Sequence, residues 1–313
     1  MPLYILRRML ETIPVLIIVA VFVFIMLRIT PADPAAILAG DSASTEQIEA
    51  IRRQLGLDQP MVSQFFIWAG NVLSGNLGES FFFKKSVASL ISERIEPTLS
   101  LAFFTMVLAV SIAVPLGVIA AHKQGSWIDR IVMGFSVLGF SIPVFVIGYM
   151  LIYIFAIWLN WLPVQGYQRI GEGLGGWALR LILPSVTLSV IYIALIARMT
   201  RTSMIDILSE DYVRTARAKG QIETKVLFQH ALKNAAIPIV TVIGISIALL
   251  IGGVVVTETV YTIPGLGRLT VDAVLARDYP TIQAVILLFS FVYVMVNLAI
   301  DLIYSLLDPR IRY

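Results

Sequence analysis

The chain has 313 residues, of which 58% are hydrophobic and 14% charged, with a net charge of +3 and a mean hydropathy of +0.88. Soluble domains carry about 25% charged and about 45–50% apolar residues, so this balance excludes an ordinary soluble fold and points into a bilayer. With no cysteine there is no disulfide framework, thiol nucleophile or Cys-ligated metal. The small, dispersed basic excess lacks the continuous face that nucleic acid requires.

A helix needs about 20 apolar residues to cross the roughly 30 Å hydrocarbon core. Charge-free intervals of that order predict spans at 9–29, 97–121, 131–159, 181–199, 236–257 and 279–307. The amino terminus imitates a signal peptide, with Arg7-Arg8 before an apolar run. That run is long for a signal, and no small-x-small cleavage site follows it, so it reads as the first membrane helix. Residues 30–96 look most soluble. Within them, 45–55 is expected to be an amphipathic helix, with Ile48, Ile51 and Leu55 on one face and Gly56 as its stop. Gly75, Gly78 and Phe81-Phe82-Phe83-Lys84-Lys85 suggest a turn followed by an interfacial anchor.

Pro143 and Pro184 are expected to kink the third and fourth spans. Gly244, Gly252 and Gly253 on the fifth serve either close helix packing or flexibility at a gate. Arg28, Arg180, Arg198, Glu258 and Asp301 fall near span ends, where side chains can snorkel to water. Asp301 lies one helical turn from Asn297, a pair suited to packing or to lining a path. Lys and Arg are densest in the short segments on the amino-terminal side, which places both termini in the cytoplasm. The predicted fold is thus an all-α integral membrane protein of six transmembrane helices. Residues 30–96 form an extracytoplasmic insertion between helices 1 and 2, and residues 200–235 form a cytoplasmic loop.

That loop holds the longest stretch rich in Lys and Arg, 209–238. Ser209 is expected to cap a helix, with Glu210 and Asp211 at the positive end of its dipole. The helix runs to about Lys219, and Gly220 stops it. A second helix starts near Glu223, with Val226, Leu227, His230, Ala231, Asn234 and Ala235 on one face. Pro238 opens the next span. Two short helices bent about a glycine suit the docking of another protein; the plainer reading is a basic linker held at anionic lipid.

No catalytic constellation appears. His122 and His230 lie in different loops, and neither a zinc-protease pattern nor a phosphate-binding glycine loop is present. Energy must come from a partner or a gradient. Gradient-driven carriers place ionisable groups inside their spans, and here mid-span positions are nearly free of charge.

Arg214-Thr215-Ala216-Arg217-Ala218-Lys219-Gly220 resembles the EAA loop of permease subunits of bacterial ABC importers. The family pattern is Glu-Ala-Ala, three residues, Gly, nine residues, then Ile-x-Leu-Pro. This chain keeps Ala216, Gly220 and Leu232, and departs with Arg214, Thr215, His230 and Lys233. Those departures resemble the dipeptide/oligopeptide/nickel branch. Leu55-Gly56-Leu57-Asp58-Gln59-Pro60, Gly265-Leu266-Gly267-Arg268, Arg277-Asp278-Tyr279-Pro280 and Asp308-Pro309-Arg310 fit that branch as well.

The resemblance implies a permease of the bacterial inner membrane, with no catalysis or cofactor of its own and ATP and Mg on partner subunits. It implies a second permease, two cytoplasmic ATPases and an extracytoplasmic solute-binding protein as partners. Residues 214–220 would couple to the ATPase. Arg268, Asp272, Arg277 and Asp278 would meet the binding protein, or else form a folded turn that orients the last helix. Cargo would be di- or oligopeptides, or alternatively nickel complexes or glutathione. A gradient-driven transporter and an intramembrane hydrolase are the readings from other classes.

Overall fold

The computed structural model describes residues 2–29, 34–39, 43–54 and 56–307. Leu55 and Asp308-Pro309-Arg310, used above as motif residues, lie outside the described residues. The described chain is helical, with an isolated bridge between Glu79 and Ser86. Five helices hold windows long and apolar enough to cross a membrane, or six if one bent pair is taken as a single span.

The helices are α1 (Pro2–Ile29), α2 (Pro34–Ala39), α3 (Thr45–Gln54), α4 (Met61–Leu73), α5 (Val87–His122), α6 (Trp127–Ser141) and α7 (Val144–Leu151). A π-helical turn, Ile152–Trp158, continues α7. Then come α8 (Leu174–Leu208), α9 (Asp211–Ala218), α10 (Glu223–Lys225), a second π-helical segment Val226–Ala231, α11 (Leu232–Asn234), α12 (Ala236–Val260), α13 (Leu266–Leu275) and α14 (Tyr279–Leu307).

Local sequence explains several of these bounds. Ser44 and Gln47 make a reciprocal capping box for α3, with Gln47 N–H donating to Ser44 Oγ at 3.3 Å and Ser44 N–H to Gln47 Oε1 at 2.9 Å. Gly56 follows at φ +66, the left-handed stop the sequence called for. α5 begins ten residues before the expected Pro97, which lies inside the helix together with Pro115. α8 likewise runs past 181–199 at both ends and passes Pro184 as one helix. The bend expected at Pro143 within 131–159 is sharp: α6 and the α7 arm meet at 103°.

Two compact units emerge, 96–268 with 296–313, and 2–95 with 269–295. In the first, α8 is the central helix, with Leu181, Leu188, Tyr192 and Ile196 packed among Leu101 of α5, Val132 of α6, Ile152 and Leu250 of α12. Close approach depends on small residues. A Cβ on Gly253 would come within 2.7 Å of Leu188 Cδ1, and one on Gly244 would strike the Ile300 side chain, whereas Gly252 faces open space. Packing therefore accounts for Gly244 and Gly253.

In the second unit, Phe24 of α1 meets Phe65 of α4 edge-on at 5.3 Å and Trp68 at 5.5 Å. Arg28 lies 3.7 Å above the Phe24 ring and donates to Gln64 Oε1 at 2.9 Å. It is a packed contact, beyond the snorkelling role expected of it. α4 has no counterpart in the sequence expectations, although 61–73 is a charge-free run rich in aromatics.

Candidate functional site

The 209–235 segment forms the bent pair of helices the sequence suggested, with corrected bounds. Ser209 is not the cap of α9. It ends α8, its Oγ donating to Asp206 O at 2.7 Å. Glu210 holds the N-cap position with no side-chain cap bond, and Lys219 is the C-cap. Gly220 has φ +74, and a Cβ there would meet nothing within 4 Å, so backbone conformation alone demands glycine.

Val213 is fully buried, which turns the rest of α9 outward. Arg214, Thr215, Arg217, Ala218, Lys219 and Gly220 are exposed, and Ala216 is half-buried. Arg214 pairs with Asp211 at 3.3 Å on the open surface. Arg217 reaches across the Gly220 turn, Nη2 donating to Glu223 Oε1 at 2.8 Å and Nε to Oε2 at 3.3 Å. The hydrogen-bonded guanidinium holds the Glu223 carboxyl below the usual glutamate range. His122 Nδ1, at the end of α5, lies 3.5 Å from the same carboxylate. Glu223 and His122 were missed as members of this site; sequence shows no sign that they meet.

The second half of the pair is the anchor. Leu227, Ala231 and Ala235 pack with Val118 and Ala121 of α5, Met204 of α8 and Ile239 of α12. Of the face expected there, Val226 is buried too, whereas His230 is half-buried and Asn234 exposed. α8 leads directly into this pair and is itself tied to α6. Arg201 donates to Asp129 through Nε at 2.5 Å and Nη2 at 2.7 Å, a bidentate pair on a carboxylate that also accepts from Gly125 N–H at 2.9 Å.

The other candidate residues are placed differently. In the first unit, Glu258 is fully buried rather than snorkelling. Its Oε1 accepts from Thr98 Oγ at 2.6 Å and its Oε2 from Arg268 N–H at 2.9 Å, while Leu266 N–H donates to Thr98 Oγ at 2.7 Å. A Cβ on Gly265 would collide with this carboxylate, and one on Gly267 would come within 2.6 Å of Val255 Cα. The Gly265-Leu266-Gly267-Arg268 motif thus wraps the buried Glu258 carboxyl group. Arg268 is half-buried.

In the second unit, Asp278 is also fully buried. It accepts from Ser80 Oγ, from Phe81 N–H at 2.9 Å and from Thr281 Oγ at 2.7 Å. It offers no surface to a partner; it folds the turn, the other role the sequence allowed. Asp272, half-exposed, lies 3.9 Å from Arg94, and Arg277 is exposed at φ +54. Among the described residues no cluster of metal-ligating side chains occurs.

The comparisons agree with this architecture. Residues 113–313 match the family model "Binding-protein-dependent transport system inner membrane component", and residues 1–102 match its N-terminal component. A probable peptide ABC transporter permease of Sinorhizobium fredii is 56% identical over 313 residues, covering 100% of both chains. The glutathione transport system permease GsiC of Escherichia coli is 46% identical over 310 residues, covering 99% of each. A putative peptide transport system permease of Brucella abortus is 42% identical over 309 residues, covering 99% of this chain and 98% of its own.

Among solved structures, an inward-facing MetNI methionine ABC transporter aligns with TM-score 0.58 and 19% identity, over 70% of this chain and 96% of that one, a likeness of fold. With both family models matched and full-length relatives 42–56% identical, the chain belongs to the binding-protein-dependent transport system inner membrane components, as a multi-pass ABC importer permease.

Proposed function

We propose that this permease crosses the bacterial inner membrane six times with both termini in the cytoplasm, and that it carries di- or oligopeptides. In this reading it pairs with a second, related permease, two cytoplasmic ATPases and an extracytoplasmic solute-binding protein. The 56% identity along the whole chain to a probable peptide permease carries the substrate class. Glutathione is the second reading, favoured by the 46% identity to GsiC.

Arg214, Thr215, Ala218 and Lys219 supply the surface that seats in the ATPase. Ala216 keeps the contact close, Gly220 sets the bend, and Arg217 braces the bend through Glu223. Closure of the ATPases on ATP pushes this helix pair. The push reaches the spans through Leu227, Ala231 and Ala235, which pack against α5, α8 and α12. Asp272, Arg277 and Arg268 are separate contact positions for the binding protein, while Asp278 acts from within.

Co-purification from the native host in mild detergent tests the proposal. Recovery of a second permease with ATPases, and a binding protein that takes peptides rather than glutathione, is the expected result. Recovery of this chain alone, still active in uptake, contradicts it and favours a gradient-driven carrier.

A further inference from the structure

The break between α6 and α7 has no role in the account so far. Ile142 is extended at φ −96, ψ 123, Pro143 follows at φ −58, ψ 138, and the two arms diverge by 103°. Pro143 has no N–H, so the Gly139 carbonyl loses its helical donor. The first N–H groups of α7 lack intrahelical acceptors, and no side chain caps them. Ser141, Ile142 and Pro143 are all exposed.

Each arm has about 15 residues and spans about 22 Å, too short to cross the hydrocarbon core alone. Taken as one span, the two arms put their elbow at membrane depth. Lipid cannot satisfy its open backbone groups; irregular backbone persists there only inside protein or beside water.

Its inner side is already taken. A Cβ on Gly139 would lie 3.2 Å from Ala194 Cβ of α8, and one on Gly148 would lie 3.2 Å from Val260 Cγ1 and 3.4 Å from Thr187 Cγ2. These two glycines press the arms onto α8 and α12, which leaves the tip facing away from the core of its own unit. Beyond the tip, Tyr149 and Tyr153, four residues apart, are 59% and 64% exposed. Their hydroxyls add polarity to the same arm.

We infer that Ser141, Ile142 and Pro143, with Tyr149 and Tyr153, line the aqueous path through which polar cargo passes. The assignment rests on the permease reading above. The chain has no cysteine, so single thiols can be read without background from it.

The test places Ser141→Cys or Ile142→Cys in the assembled transporter, in native membrane vesicles, and measures labelling of this chain by a cationic methanethiosulfonate. Ile18→Cys, outward-facing in the apolar run of α1, serves as the lipid control. Only the thiolate reacts, and apolar surroundings raise a thiol's pKa by a unit or more, so the elbow positions label at least about tenfold faster. Labelling there also blocks uptake. Rates equal to Ile18→Cys at both elbow positions overturn the assignment. ATP-dependent uptake by the unlabelled complex in the same vesicles then shows that the elbow assignment failed while the permease reading stands.

Discussion

Two polar segments of the first unit, 209–220 and 258–268, use their charges in opposite ways. α9 buries a single valine and turns Arg214, Arg217 and Lys219 outward. The 258–268 turn buries its carboxylate completely and closes backbone N–H groups and glycines around it. Both contain a glycine the backbone cannot replace, but for different reasons. Gly220 needs a left-handed φ in open space, whereas Gly265 and Gly267 need room beside a buried carboxyl group and a neighbouring helix. The first arrangement leaves its charges on an open surface; the second makes a lock.

The lock should break hardest. Glu258→Ala strands the Thr98 and Arg268 donors in a buried site, and each buried donor left unsatisfied costs about 1–3 kcal/mol. A loss on the order of 3 kcal/mol or more is expected, read as a collapse of monodisperse, folded protein in detergent with a lowered thermal transition. Glu258→Gln, which keeps an acceptor oxygen, should lose less. Equal stability of the alanine variant and wild type would remove the lock from the account.

Gly220→Val separates surface from lock. The left-handed backbone costs a non-glycine residue about 1–2 kcal/mol, too little to prevent insertion. Transport per ATP hydrolysed should fall severalfold while the amount of membrane protein holds. Unchanged uptake would sink the coupling role of the bend.

The smallest effect is at the Arg217–Glu223 brace, which is more than a third exposed and so screened to below about 1 kcal/mol. Glu223 titrates lower in the folded chain than in the unfolded one. Its contribution is therefore present above the ordinary glutamate value and lost as pH falls through the lowered folded value. The difference in thermal transition between wild type and Glu223→Gln should be visible near neutrality and vanish on acidification. A difference that grows in acid would contradict the brace.

What could be read in advance was what is local. The 45–54 helix, its glycine stop and the α9–Gly220 bend follow from spacing and cap chemistry within a few residues. The helices outrun the predicted spans because charge-free counting finds apolar runs, not helices. α5 continues upstream through Arg94 and Glu96, whose charges have partners: Arg94 the Phe83 ring and Glu96 the Tyr167 hydroxyl at 3.0 Å. Glu258 read as an anchor because nothing in the sequence announces Thr98, 160 residues away. An Ile-Pro pair predicts a kink, but its size of 103° accompanies the packing of Gly139 and Gly148, which only the folded chain reveals.

The central claim is that 214–220 seats in a cytoplasmic ATPase. Its most direct test is site-specific photo-crosslinking in intact cells, with the crosslinker at Lys219 and, as control, at Lys85, which is likewise exposed. An ATPase adduct from Lys219 and none from Lys85 is the expected result. An ATPase adduct from Lys85, or adducts to lipid alone from Lys219, would contradict it.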